Sequence, residues 1–243
     1  MPTVRLAAAA ALLLLAGCRS ATPPAPAPSP TTAASPWPRS HKIDMGAAEV
    51  RAPQPYTLEQ RLLEAVRQND RASINRAVEL GASLEAKDDL RRSTVLLATL
   101  DAGDLALVRW LHEQGVPVDE PDVGGRTPLS FAADTGRLPI VQYLVEQGAT
   151  VDSRDVQQRT PLQHAAGADH PDVIGYLLDH HADPNARDQF GDTPLIVACA
   201  KGNVASATLL LARGADATLT DQEGRTAKQR SAPDATPCLA LPK

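Results

Sequence analysis

Apolar positions recur along most of the chain at the spacing of an amphipathic helix, in sets that resemble one another. Leu107, Val108, Trp110 and Leu111 form one set, Ile140, Val141, Tyr143 and Leu144 a second, and Val173, Ile174, Tyr176 and Leu177 a third. Each set puts its apolar side chains on one helical stripe, which predicts a short helix with one buried face. The small pairs Ala132-Ala133, Ala165-Ala166 and Ala198-Cys199 predict a second kind of helix that can press closely on its neighbours. Near the start of this region Leu62, Leu63, Val66, Ile74 and Val78 predict a further helical unit. Its other face, with Glu59, Gln60, Arg61, Glu64, Arg67 and Asp70, is polar enough to end a stack. Residues 19–56 show no apolar periodicity. Residues 6–16 are an unbroken apolar run, shorter than the roughly 18 to 20 residues that a membrane-spanning helix needs.

The sets are parts of a repeat. Thr94, Thr127, Thr160, Thr193 and Thr226 fall at a constant interval, as do Asp89, Asp122, Asp155, Asp188 and Asp221. Thr at the N-cap followed by Pro at the first helical position starts a helix, because the hydroxyl accepts an orphan amide and the ring presets φ. Gly81, Gly115, Gly148 and Gly214 suit the left-handed position that closes the second helix, and the Asp column suits a turn. With Thr127-Pro128-Leu129, Thr160-Pro161-Leu162 and Thr193-Pro194-Leu195, the chain resembles the ankyrin repeat family. That resemblance implies an all-α repeat solenoid of helix-turn-helix units joined by hairpin-like fingers: about five repeats and a C-terminal half-repeat cap over residues 57–231.

Four departures stand out. Ser130, Gln163 and Ile196 replace the family's His, which implies weaker hydrogen bonding between repeats. Pro is missing at Val95 and Ala227, and His181 takes a helix-closing Gly position. Gly81 to Gly115 also contains one extra residue, placed near Lys87-Asp88. Beyond the last cap, Pro233 is expected to stop the chain before another second helix forms.

Composition adds the setting. The 243 residues carry a net charge of −5, which gives no reason to expect nucleic acid as a partner, and residues 57–243 hold 19 basic and 27 acidic groups. Residues 1–17 have the layout of a signal peptide, with Arg5 ahead of the apolar run. The tetrapeptide Leu15-Ala16-Gly17-Cys18 resembles the lipobox of bacterial lipoproteins, which implies acylation of Cys18 and a body tethered outside the cytoplasm, facing the periplasm. By analogy with the rule that Asp after the lipidated Cys retains a protein in the inner membrane, Arg19 favours the outer one. Residues 18–56 hold nine of the 21 prolines and read as an extended linker; residues 232–243 form a tail.

Candidate chemistry is sparse. His164, His170, His180 and His181 with Asp169 and Asp172 are the only cluster that suggests a metal, but their spacing matches no short metal motif. No nucleophile-elbow motif and no phosphate-binding glycine loop is present, so neither catalysis nor a cofactor is expected. Cys199 reads most simply as a stand-in for Ala, with Cys238 a free tail thiol. The alternative is a bond between them, since the seven residues beyond Ser231 reach about 20 Å at about 3.3 Å each. The resemblance places recognition at finger tips and the inner groove: Leu90, Arg91, Val123, Arg126, Val156, Arg159, Phe190, Asp192 and Arg225 at the tips, and Asp101, Asp134 and Lys201 in the groove. Apolar tips bordered by arginines have the composition of an interface centre. The expected function is therefore a monomeric, membrane-anchored protein-binding scaffold, with an immunity or inhibitor role as its narrower form. A non-catalytic envelope stress-protection role, linked to peroxide or metal, is the alternative.

Overall fold

The computed structural model describes residues 56–90, 92–93, 98, 102–231, 238 and 240. The leader, Cys18, the linker to residue 55, and Arg91, Thr94, Val95, Asp101 and Pro233 lie outside the described residues. The helices are α1 (Leu58–Arg67), α2 (Arg71–Glu79), α3 (Leu105–Glu113), α4 (Pro128–Asp134), α5 (Leu138–Glu146), α6 (Pro161–Ala168), α7 (Pro171–Asp179), α8 (Pro194–Lys201), α9 (Val204–Ala212) and α10 (Ala227–Arg230). Among the described residues there is no strand, only isolated bridges at Lys87–Ser93 and Thr220–Thr226, and no helix is long and apolar enough to cross a membrane.

Helix starts follow the local chemistry. Thr127, Thr160 and Thr193 accept the amides of Ser130, Gln163 and Ile196, each ahead of a proline. Thr57 and Gln60 cap one another reciprocally at α1. His181 stands at φ 67°, in the left-handed region that Gly81, Gly115, Gly148 and Gly214 occupy in sibling units.

The helices α4, α6, α8 and α10 pack in succession, as do α3, α5, α7 and α9, and one core cluster runs from Leu62 to Cys238. Leu107, Leu111, Leu144, Leu162, Leu177 and Leu195 are fully buried. Within the aromatic column only Tyr143 is buried; Trp110 and Tyr176 are half-buried and pack against the core from its edge. The guanidinium of Arg109 lies 4.8 Å from the Tyr143 ring centroid, and His112 meets the same ring edge-on.

The register of the second unit differs from the sequence expectation. Asp88, not Asp89, accepts the finger amides, and Ser93, not Thr94, closes the finger as Thr226 closes the last one. The extra residue therefore lies between Ser93 and Gly103. There Ala98 and Ala102 belong to a widened π-type turn, and the Gly103 amide donates to the carbonyl of Ala98. A π-type turn absorbs one residue without changing the helix ends.

Hydrogen bonding between repeats is not sparse, because other columns supply it. Gln163 Nε2 donates to the Asp192 carbonyl at 2.6 Å. The carboxylates of Asp119 and Asp152 and the amide oxygen of Asn185 accept the backbone amides of Thr150, Asp183 and Asp216. Arg154 and Arg187 donate to the carbonyls of Arg187 and Thr220, one repeat on.

At the C-terminal end α10 packs on α8, with Arg230 spanning Asp192 and Asp221. The chain regains a helical turn at Cys238, whose sulfur is bonded to that of Cys199 on α8; the Cα atoms are 5.8 Å apart and both residues are fully buried. Of the two readings of these cysteines, the structure has the pair, with Cys238 bonded into the small-residue column of α8. Closing a segment of 39 residues is worth about 4 kcal/mol in loop-closure entropy. Cys238→Ser is expected to lower the melting temperature by roughly 10 °C. A reductant should then have no further effect on the variant, and equal melting of both proteins under oxidising conditions refutes the assignment.

Candidate protein-binding surface

Every finger is built on one carboxylate. Oδ1 of Asp88, Asp122, Asp155, Asp188 and Asp221 accepts the amides two and four residues on, at 2.8–3.0 Å. This fixes the turn and presents its two central residues. Adjacent fingers are joined by one backbone bond each: Val123 to Leu90, Val156 to Gly124, Gln189 to Gln157 and Gln222 to Phe190, with amide donating to carbonyl at 2.9–3.0 Å.

The apolar tips are open to solvent. Leu90, Val123, Val156 and Phe190 are 48, 53, 66 and 53% exposed, so a large part of each faces solvent. With the corrected register Leu90 shares a column with Gly124, Gln157 and Phe190, while Val123 and Val156 belong to the adjacent one.

The arginines behave differently. Arg92 and Arg159 turn back on Asp88 and Asp155 of their own fingers, and Arg225 on Asp221. Arg126 instead bridges to Asp134 at 2.9 Å and lies 3.8 Å from the Phe131 ring centroid. Burial raises the affinity of Asp88 and Asp155 for a proton, but the amide and guanidinium of Arg92 and Arg159 outweigh it and hold both below the usual carboxylate range. Asp221 is held well below that range, burial being outweighed by Arg225 and Arg230. The expected basic row is thus internally neutralised. Removing Arg159 would also leave buried Asp155 short of a partner, so its loss costs stability and not only recognition.

Asp192 stands where the four sibling fingers carry arginine. It is buried, gripped by Arg230, and burial together with the nearby Asp188 and Asp221 carboxylates raises its pKa despite that grip. Asp134 is partly exposed beside Arg126 in the groove, and Lys201 is exposed, its Nζ lying over Gly167 of the preceding unit.

The histidines do not converge. His164 is buried with Nε2 3.1 Å from Asp155 Oδ2, His170 contacts the Asp134 carbonyl, and His180 stacks on Tyr176. Among the described residues no group of three or more His, Cys, Asp or Glu side chains could hold a metal ion. Three features have no counterpart in the sequence reading. They are the Gln163 bridge, the Arg230 clamp, and the Asp119, Asp152, Asn185 column, whose constant spacing was its available signal.

Paired helices, stacked through a shared core and joined by hydrogen-bonded fingers, define a repeat solenoid. A family model described as ankyrin repeats in three copies matches residues 62–155 and again 151–221, and the chain belongs to the ankyrin repeat family. No curated protein matches it. Ankyrin repeats generally mediate protein–protein interaction, and their proteins are typically non-catalytic scaffolds.

His164 sets a pH dependence. Burial, followed by the charges of Arg126 and Arg159, lowers its pKa from 6.5 to about 4. Above pH 6.5 the imidazole is neutral in both folded and unfolded chains. Below it the unfolded chain takes up a proton that the folded chain refuses until about pH 4, so stability falls as pH drops across that window. His164→Gln is expected to flatten the decline. Urea midpoints of the two proteins that fall in parallel between pH 7 and 4.5 would contradict this.

Proposed function

We propose that the chain is a lipid-anchored scaffold outside the cytoplasm that captures a protein partner on its finger tips. The observation that carries the binding surface is the exposed apolar row Leu90, Val123, Val156 and Phe190 on fingers that fold without needing those side chains. Large apolar groups left in water at ordered positions are the usual anchors of a partner. Support for the location comes from the lipobox-like residues around Cys18 and from the Cys199–Cys238 bond, since disulfides persist mainly in oxidising compartments. Two or three acyl chains on Cys18, at about 0.8 kcal/mol per buried methylene, give a durable tether, and Arg19 favours the outer membrane. An acidic body on such a tether suits an immunity or inhibitor protein that intercepts a basic toxin or enzyme.

Two outcomes are expected. Cys18→Ser should leave the repeats folded but release or fail to process the protein; palmitate labelling that persists in this variant contradicts the anchor. Phe190→Ala should weaken binding to a partner isolated by cross-linking in intact envelopes by about 1 to 3 kcal/mol with little change in melting temperature. Wild-type affinity would place recognition elsewhere.

A further inference from the structure

Resting on the fingertip reading, we propose that the fourth and fifth fingers, 188–192 and 221–225, hold a seat for an arginine side chain of the partner, lined by the Phe190 ring and the Asp192 carboxylate. The repeats supply the template. Arg92, Arg159 and Arg225 each donate Nε–H to Oδ2 of the aspartate four residues earlier, Asp88, Asp155 and Asp221, at 2.7–3.0 Å. Arg126 turns instead to Asp134. The fourth finger is headed by Asp188, whose Oδ1 orders the turn in the same way, but it carries Asp192 in place of the arginine. One finger thus holds two carboxylates and no guanidinium of its own.

Beside it lies a cavity of about 440 Å³, with Phe190 and Asp192 from the fourth finger, Asp221, Glu223 and Arg225 from the fifth, and Arg230 from α10 in its wall. Its charge is unbalanced. Segments 88–92, 122–126 and 155–159 are each neutral, whereas 188–192 and 221–225 together hold four acidic groups and one basic. Arg230 adds one further cation, and its guanidinium is shared unequally, 2.7 Å from Asp221 but 3.3 Å from Asp192. Arg225 is spent on Asp221 and Glu223. Asp192 is therefore the carboxylate left short of a cation. Burial, with Asp188 and Asp221 nearby, raises its affinity for a proton despite Arg230, and a cation brought by a partner relieves the same deficit.

The Phe190 ring selects the kind of cation. Among the described residues no group of side chains suits a metal ion, which leaves an organic cation. A planar guanidinium can lie on an aromatic face while its N–H edge meets a carboxylate, which a compact ammonium does less well. The chain makes this arrangement in its own groove, where the Arg126 guanidinium lies 3.8 Å from the Phe131 ring centroid and 2.9 Å from Asp134. In the fourth finger the ring and the carboxylate are present, and the ring is 53% exposed.

The isotope-labelled full chain is to be titrated by NMR with N-acetyl-arginine methylamide and with its citrulline analogue, which has nearly the same shape and no charge. The arginine compound is expected to shift the amides of Gly191, Asp192 and Glu223, and the citrulline compound to bind at least about fivefold more weakly. Asp192→Asn should weaken the arginine compound by a similar factor and Phe190→Ala by about threefold, each with the signals of the other fingers unchanged. Equal shifts from the two compounds, shifts centred elsewhere, or none at all overturn the seat on the unaltered chain. So does a cross-linked partner that depends on Phe190 but is indifferent to Asp192→Asn, an outcome that leaves the fingertip reading standing. A partner indifferent to both variants removes the reading and the seat together.

Discussion

Everything in this fold depends on the inability of one repeat to cover its own apolar surface. Two helices of seven to ten residues have too little partner area between them, and isolated helices of that length are marginal in water. The second repeat covers the first, the third covers the second, and the core becomes a continuous row rather than a centre. The fingers are the by-product of that stacking. Because the helices fix the interval between units, each turn is delivered to within one hydrogen bond of the last, and a single carboxylate per finger then suffices to order it.

Much of this was legible in the sequence because the local signals and the global period agree. Thr-Pro starts, paired alanines and left-handed glycines each name a position, and the structure finds them there. The register of the second unit was misread for an instructive reason. Asp88 and Asp89 are adjacent, as are Ser93 and Thr94, and either member of each pair can do the same chemical work. The exact interval pointed to Asp89 and Thr94, whereas hydrogen bonding selects Asp88 and Ser93, with a π-type turn taking up the surplus. Periodicity alone cannot locate an insertion that is flanked by duplicated chemistry.

The candidate site was legible in its apolar part and not in its charged part. Exposure of Val123, Val156 and Phe190 follows from their place in a turn, which spacing reveals. Whether an arginine faces a partner or folds back depends on its rotamer and on the depth of the nearest carboxylate, and neither is written in residue type. Asp155 is nearly inaccessible and also receives His164, so its demand for a guanidinium decides where Arg159 goes. The same reasoning explains Asp192: where the column lacks an arginine, Arg230 arrives from the following helix.

The bond between Cys199 and Cys238 gives the row of repeats a direction. A linear stack sheds units from its ends, and without a fastening the two ends would compete to fray. Here α9 and α10 lie inside a covalent ring, so loosening them gains the chain little freedom. The opposite end is held only by reversible contacts, among them Asn69 and Arg71 on Asp104. Unzipping therefore begins at the α1–α2 hairpin and runs toward the ring, and the finger bearing Phe190 is among the last surfaces to be lost.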